Sequence, residues 1–450
     1  MFKSFLGGIH PQDGKQYAMD KAIETLPLPA ELVIPMGQHI GAPCTPTVKV
    51  GDYVKRGQVI GTSEAFMHAD IHASLSGDVV KIDKMPHSGS VTCTAVVIKS
   101  DGLDAWADGL PLERDWRTME KDAILTAIQQ AGVVGMGGAT FPAHIKLKPA
   151  KPVDVLIING AECEPYLTAD YRLMLEETDR LVTGVQILQK LLDVKTCYIG
   201  IENNKPKAIE ALQKAFQGVD GVVVAALKTK YPQGAEKMLI KVLTGREVPC
   251  GGLPMDVGAV VQNTGTAAAI ADAVVHGLPL TERITTVSGD AVKEPKNLRL
   301  RIGTTYREAV NYCGGFKETP DKLLAGGPMM GMAQFTLDVP VMKGSSGILG
   351  LTKKITEHGK ESPCIRCGRC VQACPMGLIP SMLSILSERK DFASAKDDYG
   401  LFNCVECGCC TYTCPAKRNI VQYIKQAKAE SRAQMARDKA KAAKKQEAGK

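Results

Sequence analysis

Two cysteine runs near the end of the chain have spacing suited to metal chemistry. One reads Cys364-x2-Cys367-x2-Cys370-x3-Cys374-Pro375, and Cys404-x2-Cys407-x2-Cys410-x3-Cys414-Pro415 repeats it forty positions later. Thiolates two residues apart can wrap one face of an iron–sulfur cube, and a fourth Cys followed by Pro, at the start of a helix, points to the other cube. The pattern predicts two 4Fe–4S clusters. One set of ligands is Cys364, Cys367, Cys370 and Cys414; the other is Cys404, Cys407, Cys410 and Cys374. Structural zinc would use two CxxC pairs or Cys/His mixtures, and disulfides would give the pattern no reason to repeat. Cys409 lies between ligands and reads as a bystander.

Such a module must be carried by the rest of a chain of 450 residues, long enough for three or four domains. Its hydrophobic content of 44% is ordinary for a globular protein. Seven of the fifteen cysteines lie outside the ligand sets without pairing spacing, and iron–sulfur ligation needs reduced thiols, which predicts a reducing, cytoplasmic compartment. No apolar run approaches the roughly 20 residues that span a bilayer, and the start, MFKSFLGGIHPQDGK, lacks the apolar core of a signal peptide. The expectation is a soluble or peripheral protein. The net charge of +7 is concentrated at one end: residues 421–450 hold nine Lys/Arg against three acidic residues. An Ala/Lys/Gln-rich tail of this kind reads as a solvated helix fading into disorder, with an anionic membrane face or acidic partner as the alternative. Basic residues are not interleaved with aromatics, so nucleic acid is not expected.

The elements that position the chemistry follow in order. Residues 31–98 are rich in Val, Ile and Gly, with strands expected in VKVGDYV, GQVIGT and GDVVKI. The stretch 48–82 resembles a biotinyl/lipoyl-type barrel-sandwich, but its hairpin reads Glu64-Ala65-Phe66-Met67-His68 and has no Lys to carry a cofactor. A scaffold or docking role follows; His68 and His72 read as surface or core histidines rather than ligands. From Trp116 onward helix and strand alternate. A helix at 122–131, a buried strand at 151–160, a strand at 196–201, an amphipathic helix at 205–216 and a strand at 221–227 predict a parallel sheet with helices on its faces. Residues 284–351 suit a small α+β module with one helix at 305–313, and 352–362 reads as a linker.

Two stretches of the α/β region could bind a ligand. GVVGMGGATFPAHIKL (132–147) is a glycine-rich turn that lets backbone N–H groups approach phosphate, although it fails the GxGxxG fingerprint and follows a helix rather than a strand. NGAECEP (159–165) places Asn159, Glu162 and Glu164 past the carboxyl end of a parallel strand, where open α/β sheets bind ligands. YPQGAEK (231–237) and the loop feeding a helix through Asn263 and Thr266 come later.

Together these stretches resemble the flavoprotein subunit of respiratory complex I. The matching positions are Gly135, Gly137, Gly138, Phe141, Pro142 and Lys146; then Asn159, Glu162, Glu164 and Pro165; then Tyr231, Gly234, Glu236, Asn263 and Thr266. Met136, Thr140 and Ala161 stand where that family has Arg, Gly and Asp. The following VSGDAVKEPKNLRLRIGTTYREAV looks like the β-grasp module of the same family. With the opening GGIHPQDGK, the complete order resembles the RnfC family of Rnf electron-transport complexes. That resemblance implies a multidomain α/β plus α+β chain. Its parts are a barrel-sandwich (1–105), a Rossmann-like parallel-sheet FMN/NADH domain (106–280), an SLBB-like β-grasp module (281–352), a two-cluster ferredoxin domain (353–425) and a basic tail (426–450).

The resemblance also implies roles. NADH gives up electrons in pairs, clusters take them singly, and FMN stands between. FMN would lie on the loop of Gly135, Gly137 and Gly138, with Lys146 pairing its phosphate or ring oxygens, Asn263 and Thr266 holding the phosphate, and Phe141 and Glu164 flanking the nicotinamide. Asn159, Glu162, Gly234 and Glu236 complete the expected site. The expected partners are NAD(H) and the other proteins of a membrane-bound complex, a ferredoxin-like one among them, on the cytoplasmic face of the cell membrane. A cobalamin reductase of the propanediol-utilisation type shares the flavin loop and both clusters, but the GGIHP opening favours Rnf. A non-catalytic electron relay with an empty glycine loop is the third reading.

Overall fold

The computed structural model describes residues 3–357 and 359–448. Four layers of structure follow one another in chain order. In the first, Glu31–Pro35, Ser90–Ser100, Gly77–His87 and Tyr53–Val54 form one antiparallel sheet, and Thr45–Pro46, Val59–Thr62 and Ile71–His72 form another. Each sheet turns one face inward, as the alternation of buried Val79 with exposed Val80 shows. Leu32, Ile34, Val54, Ile60, Ile71, Val96 and Ile98 fill the space between.

The α/β region is built on four parallel strands in the order Val222–Leu227, Thr196–Glu202, Val155–Asn159, Ala259–Asn263. Leu156, Ile157 and Ile158 are all buried because helices cover both faces. The first strand of the unit, Val155–Asn159, sits beside the last, Ala259–Asn263. The direction of the crossovers reverses between them, and Asn159 and Asn263 end side by side, in register. That reversal is where open α/β sheets leave a crevice for ligands.

The third layer is a mixed six-stranded sheet in the order Ile23–Thr25, Lys296–Arg301, Glu282–Ser288, Gly347–Leu351, Lys322–Ala325, Met332–Gln334. Its helix, Tyr306–Tyr312, starts at a capping box in which Thr305 Oγ1 accepts the Glu308 N–H at 3.3 Å. Strand Ile23–Thr25 is not foreseen from the sequence, since three residues carry no readable alternation.

In the cysteine-rich region the repeat is visible in the backbone. Arg366 and Glu406 have φ of 56° and 58°, Gly368 and Gly408 of 75° and 78°. One expectation is corrected: Cys374 ends helix Arg369–Ala373, and the next helix starts at Pro380 after a turn. The turn delivers the Leu378 N–H to Cys374 Sγ at 3.4 Å, which a helix starting at the Cys-Pro pair would not do. The segment 352–362 contains a short helix, Lys353–Thr356. Helix Ile420–Ala448 packs through Val421, Ile424 and Ala427 and is exposed from Arg432 to Ala442.

Residues 3–25 cross three of these units as a strap. Gly8 N–H donates to Ala373 O, Ile9 exchanges backbone bonds with Tyr231, and Ile23–Thr25 pairs in parallel with 297–299.

Candidate flavin and iron–sulfur site

At the sheet's switch point the Asn263 side chain caps helix Thr264–Ala271, accepting the Gly265 and Thr266 N–H groups at 2.8 and 3.3 Å. Its amide donates to Asp170 Oδ2 at 2.6 Å. Thr266 Oγ1 accepts the Met136 N–H at 2.8 Å, and Gly135 N–H donates to Phe141 O, closing the glycine loop on itself. The loop is thereby pinned to the helix start. Gly137 and Gly138 are exposed at its crest, and a Cβ built on Gly138 meets nothing within 4 Å. Lys146 reaches across to Glu236 Oε1 at 2.5 Å, and Asn159 Nδ2 donates to Gly234 O at 2.8 Å.

The acidic turn is held from beneath. Lys15 Nζ, buried, donates to the carbonyls of Glu162, Glu164 and Leu167 at 2.9, 3.0 and 2.6 Å. Lys205 Nζ donates to Ala161 O at 2.6 Å and lies 3.4 Å from Glu202. Burial lowers the Lys15 pKa, so the cage of carbonyls must compensate for the lost hydration. The Glu162 carboxylate accepts the N–H groups of Asp170 and Tyr171 at 2.7 and 3.2 Å, which commits it to the start of helix Ala169–Glu176. Glu164 instead turns toward the β-grasp layer, accepting the Met329 and Met330 N–H groups at 3.0 and 2.9 Å. Burial pushes its carboxyl up to about 7.

Of the expected residues, the structure thus brings Gly135, Gly137, Gly138, Phe141, Asn159, Asn263 and Thr266 to one crevice, with Lys146 and Glu236 paired at its side. Lys15, Lys205 and Gln233 carry no signal in the sequence. Gln233 is fully buried with neither end of its amide hydrogen-bonded. Such an orphaned amide, next in sequence to the Gly234 carbonyl that Asn159 bonds, fits a site built for a bound polar group.

One of the two expected ligand sets surrounds a cavity. A largely apolar cavity is lined by Cys374, Cys404, Cys407 and Cys410 together with Leu378 and Val421. It joins one cysteine of the first run to four of the second, the three expected ligands and Cys409. Among the described residues no three His, Cys, Asp or Glu converge closely enough for a single ion. Burial raises the Cys404 thiol to about 11, so loading the site must displace protons. Backbone donors await the sulfurs: Arg366 N–H points to Cys364 Sγ at 3.4 Å and Glu406 N–H to Cys404 Sγ at 3.3 Å. Cys367 is exposed, whereas its counterpart Cys407 is 8% exposed.

The two sites meet at Tyr231. Its hydroxyl donates to Cys407 O at 2.9 Å and lies 3.4 Å from Glu164 Oε1. Ile9, Ala373, Cys407 and Cys409 pack around it.

Comparison with known proteins agrees with this geometry. Residues 128–272 match the Nuo51 FMN-binding domain, 3–103 the RnfC barrel sandwich hybrid domain, 284–333 the SLBB domain and 358–432 the 4Fe–4S dicluster domain. The fold and site therefore define a flavin- and iron–sulfur-containing electron-transfer protein. The chain is 61% identical over 443 residues to the C subunit of a proton-translocating ferredoxin:NAD+ oxidoreductase complex from Clostridium ljungdahlii, covering 98% of this chain and 97% of that one. It is 46% identical to the C subunit of a Na+-translocating ferredoxin:NAD+ oxidoreductase complex from Acetobacterium woodii, covering 96% and 98%. The C subunit of an ion-translocating oxidoreductase complex from Rhodobacter capsulatus is 44% identical, covering 87% of this chain and 76% of that one. The chain belongs to this RnfC family of ion-translocating oxidoreductase complexes and relays electrons through FMN and two 4Fe–4S clusters. The cobalamin-reductase reading is set aside by likeness of this extent. No helix among the described residues is long and apolar enough to cross a membrane.

Proposed function

We propose that this chain exchanges electrons with NAD(H) at the switch-point crevice and passes them first to the cluster of Cys374, Cys404, Cys407 and Cys410, then to that of Cys364, Cys367, Cys370 and Cys414. The observation that carries the order is the Tyr231 bond to Cys407, which sets the second motif against the flavin site and leaves the first outermost. Bound FMN supplies the step between paired and single electrons. Gly135, Gly137 and Gly138 give it backbone it can approach closely, and Asn263 and Thr266 act by fixing that loop. Lys146 supplies the positive charge for its phosphate or ring oxygens, released from Glu236 as the ligand enters. Phe141 flanks the nicotinamide, with Asn159, Glu162, Gly234 and Glu236 shaping the wall. Glu164, expected beside the nicotinamide, is instead held by the Met329 and Met330 N–H groups and fixes the acidic turn against the β-grasp layer. No side chain need move a proton for hydride transfer, and none is assigned to do so.

As one member of a larger complex, the chain would sit peripherally on the cytoplasmic face of the membrane, with other proteins, a ferredoxin-like one among them, completing the ferredoxin:NAD+ reaction. Acid extraction of flavin combined with an NADH–dye reductase assay tests the reading. Protein that carries iron and acid-labile sulfide but no flavin, and is not bleached by NADH, would instead be a bare relay.

A further inference from the structure

The forty-residue repeat allows the two cluster motifs to be compared face by face. In the second motif, Val405, Cys407, Gly408 and Cys409 form a docking face. Cys407 and Cys409 are buried against Tyr231 and Ile9, and a Cβ on Gly408 would lie 3.2 Å from Met329 O. The equivalent positions of the first motif are Ile365, Cys367, Gly368 and Arg369. Gly368 has nearly the same backbone as Gly408, yet a Cβ there meets nothing within 4 Å. Ile365 is 66% exposed, and Cys367 and Arg369 are exposed beside it. The face that carries one cluster onto the flavin domain is thus presented a second time, and no described part of this chain covers it.

Its chemistry differs in one respect. Where the second motif has Glu406, paired with Lys428 at 2.7 Å, the first has Arg366. The nearby acid, Glu361, is turned away toward Arg418, Asn419 and Tyr423. Among the described residues no carboxylate pairs with Arg366 or Arg369. An isolated aliphatic side chain between two unpaired guanidinium groups, over an exposed cluster ligand, has the layout of a small redox interface: an apolar centre with a charged rim that steers encounter. A second copy of this chain would set arginines against arginines across a twofold axis.

Building on the cluster assignment above, we propose that the Ile365–Arg366–Cys367–Arg369 face docks a separate protein that carries a one-electron centre beneath an acidic surface. One electron passes between the outer cluster and the partner's iron–sulfur or flavin centre, from whichever is reduced to whichever is oxidised, with no bond made or broken.

The test uses the holo-protein with both clusters and a small acidic two-cluster ferredoxin as probe. Affinity is measured by titration calorimetry across a salt series, and transfer by stopped flow from dithionite-reduced protein, which bypasses flavin and NADH. Wild type should bind more weakly as salt rises. The R366E/R369E variant, with unchanged iron and sulfide content, should lose about tenfold or more in affinity and transfer rate, and R366K/R369K should retain most of both. Equal affinity and salt dependence in wild type and R366E/R369E would overturn the proposal. Self-association that the same charge reversal abolishes would give the face to a second copy and also overturn it. Wild type lacking iron would instead overturn the cluster reading itself.

Discussion

The Tyr231 hydroxyl donates to the backbone carbonyl of Cys407, 176 positions away in sequence, at 2.9 Å. A tyrosine of the α/β domain thus holds the main chain of a proposed cluster ligand. In Tyr231→Phe the carbonyl loses a buried donor, at a cost of about 1–3 kcal/mol. Both clusters and FMN should remain, dye reduction at the flavin should be unchanged, and reduction of the clusters by NADH should slow. Stopped-flow bleaching at wild-type rate would remove Tyr231 from the route.

Glu164 gives a pH signature. Its carboxyl is raised to about 7 by burial in the folded chain, against an ordinary value of about 4.3 in the unfolded one. Between those values the native state binds the extra proton, so folding stability falls as pH rises through the window and levels off above it. Glu164→Gln has no such titration. From about pH 5 to pH 8 the variant should gain on wild type by up to on the order of 3 kcal/mol. A thermal-melt difference that does not change with pH, or changes the other way, would contradict the assignment.

Crossed ligation makes Cys374→Ala selective. The variant should lose the cluster of Cys404, Cys407 and Cys410 and keep the other, halving iron content. EPR showing loss of the Cys364–Cys367–Cys370 cluster alone would reverse the pairing.

Lys146→Ala removes a charge-assisted bond to bound flavin, worth roughly tenfold or more in affinity. Flavin occupancy should fall while iron and sulfide stay constant. Full FMN occupancy after gel filtration would leave Lys146 as no more than a partner of Glu236.

The strap can be tested at Gly7, where φ is 74° and a Cβ would lie 2.7 Å from Cys374 O. Gly7→Ala should cost about 1–3 kcal/mol of local stability, and on mild heating the cluster that uses Cys374 should be lost before the other. Simultaneous loss of both would separate the strap from that ligand.

Much of this arrangement is legible in the sequence because its signals are local. Two CxxCxxCxxxCP runs state their own repeat, and apolar runs such as Leu156–Ile158 announce a buried parallel strand. What is not legible depends on distant partners. Lys15 reaches carbonyls some 150 residues further along the chain, and no spacing distinguishes it from a solvated lysine. Glu162 stands where a ligand carboxylate could stand, but caps a helix starting seven residues on. The motif suggests that Asn263 and Thr266 reach outward to phosphate; instead Asn263 Oδ1 caps its own helix, and Thr266 Oγ1 accepts the N–H of Met136, 130 positions away.

The strap also sets an order of assembly. Within the strap, Gly8 donates to Ala373 O, 365 positions on, and Ile23–Thr25 pairs with 297–299, 274 positions on. Contacts between residues so far apart in sequence form late, so the strap settles after the units it crosses. Until it does, the Cys374 turn lacks its contact with Gly7, leaving an interval in which iron and sulfide can enter the cavity beside that turn.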